Sequence, residues 1–266
     1  MGRIKIWLIF AASSILFANC SRQERQNEKV LENQGDSTII KEGEGKIDSF
    51  SREVKDSLSD APTISPLEQN IIDAGLVDIQ SVDSSILVDL KYSTLDNFVK
   101  IDLYGTLYKC YLQKDVALKV AKAQQLLKER YPQLSLLIYD GVRPVSIQQI
   151  LWDTLKVPEK IKHFYVANPD SASIHNFGAA VDLTLADSSG RAVDMGTEFD
   201  FFGPLAYPIK EDAFFKEGKL SVDQINNRLI LRNVMIDAGF TSTTTEWWHF
   251  NSCSKAKAKR IYNLVK

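Results

Sequence analysis

No Lys- or Arg-rich block occurs in the 266 residues, and the formal net charge is -2. A surface able to follow a phosphate backbone is therefore missing, which argues against nucleic acid as a partner, and the balance selects no strongly charged substrate. Histidine is scarce, at three residues, and so is cysteine, also at three. Any site built on imidazole must draw on His163, His175 and His249. No internal repeat is visible. What is present, 44% hydrophobic and 25% charged sequence, suits one ordinary globular domain with a sizeable core plus extra sequence.

That extra sequence lies at the N-terminus. Residues 1–20 carry Arg3 and Lys5, then an apolar or small run from Ile6 to Ala18 that ends at Cys20. The charge and length fit an export signal, too short for a comfortable membrane span. Cys20 stands where bacterial lipoproteins carry their acylated cysteine, although Asn19 and Phe17 depart from the usual lipobox. The expectation is an exported bacterial protein, periplasmic or attached to the outer membrane through a lipid on Cys20; a plainly cleaved signal or an uncleaved anchor is the alternative. Residues 21–65 are polar and poor in aromatics, so they cannot bury enough surface to offset their ordering entropy and are expected to form a tether. Residues 66–266 are then the folded unit.

Within that unit strand and helix patterns mix. Ile79–Ser93 alternates as a strand does, and Lys114–Tyr131 sets Val116, Val120 and Leu127 at helical spacing. The stretch from Leu134 is a buried strand running into a turn, with Pro144 suited to the first position of a helix. In "VDLTL", Val181, Leu183 and Leu185 share one face and Asp182 and Thr184 the other. Residues 223–240 form a strong helix pattern with Asp223 as N-cap and Gly239 past its last turn. Mixing without strict alternation predicts an α+β fold: a small antiparallel or mixed sheet flanked by helices.

"SIHNFGAAVDLTL" places His175 and Asp182 seven residues apart around a glycine, and "EWWH" places Glu246 three residues before His249. A catalytic zinc ion takes three protein ligands, commonly His and carboxylate, and keeps a position open for water. His175, Asp182 and His249 supply such a set, leaving Glu246 free to act as a base. Gly178 lets the chain turn back between the first two. Each residue also has an ordinary alternative: a hydrogen-bonded histidine, a solvated aspartate, a strand edge with two tryptophans packed inward. His163 has no carboxylate at a telling spacing and keeps the ordinary reading.

Five motifs in order, "VDLKYSTLDNF" (88–98), "YDGVRP" (139–144), "SIHNFGAAVDLTL" (173–185), "MGTEFDFF" (195–202) and "EWWH" (246–249), resemble the VanX-type zinc D-alanyl-D-alanine dipeptidases of the peptidoglycan metallopeptidase superfamily. The first and fourth resemble the dipeptidase branch in particular. The resemblance implies a hedgehog/D-Ala-D-Ala peptidase-like core with a zinc site on the sheet, one Zn2+ per chain held by His175, Asp182 and His249, and Glu246 as general base. It implies Arg143 beside the developing oxyanion, Asp200 on the substrate ammonium and Ser173 as a substrate hydrogen bonder. The substrate-contacting tyrosine stays open among Tyr92, Tyr104 and Tyr108, because "VKIDLYGTLYKC" departs from the family's usual turn.

The activity implied is hydrolysis of a small dipeptide, D-Ala-D-Ala, to two D-alanines. For an exported chain, recovery of D-alanine from released wall fragments is the better expectation than a cytoplasmic role in drug resistance. A related peptidoglycan D,D- or L,D-carboxypeptidase or endopeptidase, and a non-catalytic wall-binding lipoprotein, are the alternatives; segments 96–98 and 199–202 closing the pocket would favour the dipeptidase. Cys110 and Cys253 are left to pair or to remain thiols.

Overall fold

The computed structural model describes residues 64–163 and 165–266. The expected export segment, the acylated Cys20 and nearly all of the tether fall outside the described residues. In chain order the elements are α1 (Pro66–Asp73), β1 (Val77–Asp78), α2 (Ile79–Val82), β2 (Leu87–Val88), β3 (Tyr111–Leu112), α3 (Lys114–Arg130), β4 (Ser135–Asp140), α4 (Val145–Thr154), α5 (Glu159–Lys162), β5 (Ala180–Ala186), α6 (Glu211–Lys216), α7 (Val222–Asp237), β6 (Thr241–Ser242), β7 (His249–Asn251) and α8 (Lys255–Ile261). Five strands form one sheet in the order β2-β4-β5-β7-β6, with β2 parallel to β4 and the other pairings antiparallel. The fold is α+β with a mixed sheet and flanking helices.

α3 runs where helical spacing placed it. Val116, Val120 and Leu127 are fully buried, and α3 packs on α7 and on β4. α7 starts earlier than expected. Ser221, not Asp223, is the N-cap, because its hydroxyl accepts from Gln224 N while the Gln224 side chain accepts from Ser221 N, a reciprocal capping box that Asp223 would not form. Gly239 does end it, at φ +93°, with Phe240 N–H returning to Met235 O. Pro144 sits one place before its expected position, as N-cap of α4 with extended backbone.

The expected strand over residues 79–93 is largely absent. Asp78 accepts from Gln80 N and Asp83 from Ser85 N, and these side-chain bonds turn the backbone out of an extended ladder. Only Leu87–Val88 pairs, alongside Leu137–Ile138.

β5 lies at the centre and all seven of its residues are buried. The apolar face carrying Val181, Leu183 and Leu185 joins the main core with α3 and α7. The face carrying Asp182 and Thr184 is shut from solvent as well, at 3% and 1% exposure. A buried carboxylate needs partners to hold its charge, and Asp182 has them.

Candidate active site

The strand register assembles the site. Asp182 lies directly opposite His249 across β5 and β7, and Asp140 opposite Asp182 across β4 and β5, following a register shift between Ile138 and Asp140. Facing residues hold their Cβ atoms roughly 4.5–5.5 Å apart, so one row of the sheet carries two carboxylates and an imidazole. His175 arrives from a single 3-10 turn, His175–Phe177, just before β5. Gly178 closes that turn at φ +63°, where a Cβ would lie 2.5 Å from Leu76 Cδ2 and 3.3 Å from Gln113 N. A side chain there would have to push Leu76 aside and adopt a left-handed backbone that L residues rarely take, which is the structural need behind the glycine between the two residues.

Hydrogen bonds fix both rings. His175 Nδ1 lies 2.7 Å from Gly141 O; a carbonyl only accepts, so Nδ1 carries the hydrogen and Nε2 faces the cavity. His249 Nε2 donates to Asn251 Oδ1 at 3.0 Å, which leaves Nδ1 to face Asp182 Oδ1 at 2.8 Å. His175 Nε2 is 3.2 Å from His249 Nδ1 and 3.4 Å from Asp182 Oδ1. Four-coordinate zinc with bonds of roughly 2.0 Å sets its ligands about 3.3 Å apart, so these atoms are spaced to share one ion. The acceptors behind the rings are of the kind that orients metal-binding histidines. Among the described residues this is the cluster of His, Cys and carboxylate able to hold a metal.

A cavity of about 270 Å³ opens over the cluster and is lined by all seven residues singled out in the sequence: Arg143, Ser173, His175, Asp182, Asp200, Glu246 and His249. It is small beside ligand pockets of roughly 300–1,000 Å³, which suits a small substrate. A larger cavity of about 670 Å³ shares Phe98 and Asp200 but none of the metal-capable residues.

Glu246 Oε2 stands 4.0 Å from His249 Nδ1, beside the ligand cluster and not within it. Burial, helped by Asp182, pushes the Glu246 carboxyl above its ordinary range, against the pull of His249. Arg143 is not the surface ion-pair partner that the sequence also allowed: it is 9% exposed, with Nε and Nη2 on Asp140 Oδ2 at 2.9 and 2.7 Å. Gln148 Oε1 accepts from Nη1 at 3.3 Å, and Nη2 lies 3.5 Å from Asp182 Oδ2. Asp200 accepts from the Tyr92 hydroxyl at 2.9 Å. Burial pushes its carboxyl well above the usual range, with Arg143 opposing and Asp182 adding to the rise. Ser173 Oγ accepts from His175 N at 3.4 Å. His163 lies apart, exposed at the end of α5.

Sequence reasoning did not assign Asp140, Asn251 or Lys255. Asp140 stands three residues before Arg143 and Asn251 two after His249, on the same strand face, and those spacings are the signals that were available. Of the three candidate tyrosines, Tyr92 reaches the cavity, Tyr104 donates to Asp140 Oδ1 at 2.7 Å, and Tyr108 is exposed. Cys110 and Cys253 are both free thiols.

Burial works against a charged His249 ring, but the bond to Asp182 and the carboxylates of Asp182 and Glu246 overcome it and push the pKa up to about 9. In the metal-free protein the proton on Nδ1 occupies a ligand position, and a metal must displace it. Metal affinity, measured by competition with a chromophoric chelator, is therefore expected to rise about tenfold per pH unit from neutrality until it levels off near pH 9. A flat profile over that range would show that His249 is neutral without metal. The same linkage gives the metal-free fold a contribution from His249 that is fully present below the ring's ordinary value and lost as pH rises through about 9.

Two imidazoles and a carboxylate converging on one point, with an unliganded carboxyl and a buried guanidinium beside them, define a metallopeptidase. The chain belongs to the D-Ala-D-Ala dipeptidase family of peptidases, whose profile matches residues 72–266. A D-alanyl-D-alanine dipeptidase of Escherichia coli K12 is 32% identical over 175 residues, covering 66% of this chain and 83% of that protein. One of Enterococcus faecium is 28% identical over 194 residues, covering 67% and 92%.

Proposed function

We propose that this chain is a zinc-dependent dipeptidase that cleaves D-alanyl-D-alanine to two D-alanines in cell-wall peptide turnover. The observation that carries the reading is the convergence of His175 Nε2, Asp182 Oδ1 and His249 Nδ1 in a small cavity that also holds Glu246, Arg143 and Asp200. The zinc ion, held by those three atoms, would supply Lewis acidity to the peptide carbonyl and to the attacking water.

The protein's own groups do the rest. Glu246, its carboxyl raised by burial, takes a proton from the water and returns it to the leaving amine. Arg143, locked from behind by Asp140, presents fixed positive charge to the carbonyl oxygen as charge develops there. Asp200 pairs with the substrate ammonium and Ser173 offers a hydroxyl.

The rim favours a dipeptidase over a carboxypeptidase. Phe202 packs on Phe98 at 4.9 Å and on Tyr165 at 5.1 Å between ring centroids, and both of those rings line the cavity. Asp200 at this rim would pair with a free amine and not with an acylated one, although the larger cavity shares the same rim. The proposal places the enzyme outside the cytoplasm on a lipid at Cys20, on the strength of Arg3, Lys5 and the run from Ile6 to Ala18.

The full chain, zinc-loaded, is expected to release D-alanine from D-Ala-D-Ala and not from N-acetyl-D-Ala-D-Ala. Equal cleavage of both would make it a carboxypeptidase.

A further inference from the structure

Apart from the histidines, two basic side chains line the catalytic cavity, Arg143 and Lys255. Arg143 is committed, with Nε and Nη2 on Asp140 and the guanidinium lying over the Tyr92 ring. Lys255, half-buried at the start of α8, is not: its ammonium donates to the Ser171 hydroxyl at 3.2 Å, and no carboxylate lies within ion-pair distance of it among the described residues. Burial, with Lys259 nearby, lowers its pKa. An ammonium held by a neutral hydroxyl at the edge of a cavity is short of a counter-charge, and an incoming anion would supply one.

Placement gives that anion an identity. Ser171 is two residues before Ser173, which is two before His175, so Lys255 is tied to the wall that carries the first ligand. Asp200 belongs to another wall, fastened to Tyr92. A dipeptide zwitterion carries two terminal charges; with its ammonium on Asp200, its carboxylate needs a cation elsewhere in the same small cavity.

We infer that Lys255, which donates to Ser171 and lines the same cavity as Ser173, binds the C-terminal carboxylate of the dipeptide and makes the enzyme selective for substrates ending in a free acid. The inference rests on the dipeptidase reading. It makes specificity two-ended, with a carboxylate for the amine and an ammonium for the acid.

The test compares zinc-loaded full-length wild type with Lys255→Met and Lys255→Arg on D-Ala-D-Ala and D-alanyl-D-alaninamide, which differ only in the terminal charge. A charge-assisted hydrogen bond corresponds to roughly 10- to 100-fold in affinity. Lys255→Met is expected to lower the acid-to-amide ratio of kcat/KM by about that factor, through KM and not kcat. Lys255→Arg should retain most of the preference, and zinc content should stay at one per chain in both variants. An unchanged ratio, or equal losses on both substrates, would overturn the assignment while leaving the dipeptidase intact. Wild-type protein inert on both substrates, although zinc-loaded, would overturn the dipeptidase reading and the subsite together.

Discussion

Glu246→Gln is expected to lower kcat on D-Ala-D-Ala by about a thousandfold, within the range set by loss of a positioned general base, while the variant still binds one zinc per chain. The two halves of that result separate a base from a ligand. Glu246 Oε2 is 4.0 Å from His249 Nδ1, outside the cluster of three atoms that can share an ion, so a neutral isostere there should leave metal affinity nearly intact. Loss of metal along with activity would move Glu246 into the coordination set. Retained activity would place the base elsewhere.

The pH profile gives an independent reading. Burial raises the Glu246 carboxyl, so its proton leaves at a pH above that of an ordinary glutamate. That direction belongs to the metal-free protein, and bound zinc would pull it back down; the base works only when deprotonated, so kcat/KM of the zinc-loaded enzyme should rise with pH through the Glu246 titration and that acid limb should vanish in Glu246→Gln. A limb that persists in the variant would belong to another group, and Asp200 on the same cavity is a candidate.

Much of this site was legible in the sequence because its parts are local. His175, Gly178 and Asp182 fall within one turn and one strand, and Glu246 and His249 within one loop and strand, so short-range spacing carries their relation. What joins the two halves is the pairing of β5 with β7, which sets Asp182 against His249 across a separation of 67 residues. No spacing rule supplies that register: counting ligands named His175, Asp182 and His249 as one set and the resemblance implied the same set, but neither gave the strand pairing that brings them together. Asp140 was hidden for a related reason. The register shift after Ile138 brings it level with Asp182, and an irregularity in a strand leaves no mark in an alternation pattern. The N-terminal part misled most, since Asp78 and Asp83 sit among residues that alternate like a strand yet use their side chains to turn the backbone. Lys255 is the plainest case of invisibility: one lysine among many in the sequence, distinguished only by where α8 begins.

Asp200→Asn should separate function from stability in opposite directions. The residue holds φ +59°, a left-handed conformation that asparagine tolerates as readily as aspartate, so the substitution removes the charge and leaves the backbone undisturbed. Its carboxyl is raised well above the ordinary range, chiefly by burial. The folded state therefore holds a proton that the unfolded chain releases, and stability falls as pH rises from the unfolded value toward the folded one. At neutral pH the wild type bears that cost and the asparagine variant does not. The variant should melt at the same or a higher temperature at pH 7, with the advantage shrinking as pH falls into the carboxylate range. Catalysis should move the other way. An ammonium brought into this cavity without its carboxylate is left buried and unpaired, a loss of roughly 2–5 kcal/mol, so kcat/KM on D-Ala-D-Ala should fall about 10²- to 10³-fold. Discrimination against N-acetyl-D-Ala-D-Ala should narrow by a similar factor, because a blocked amine has no charge to lose. A variant both less stable and less active would make Asp200 a structural residue held by Tyr92. A more stable protein that no longer distinguishes a free amine from a blocked one would show a buried charge kept at the expense of the fold because the substrate requires it.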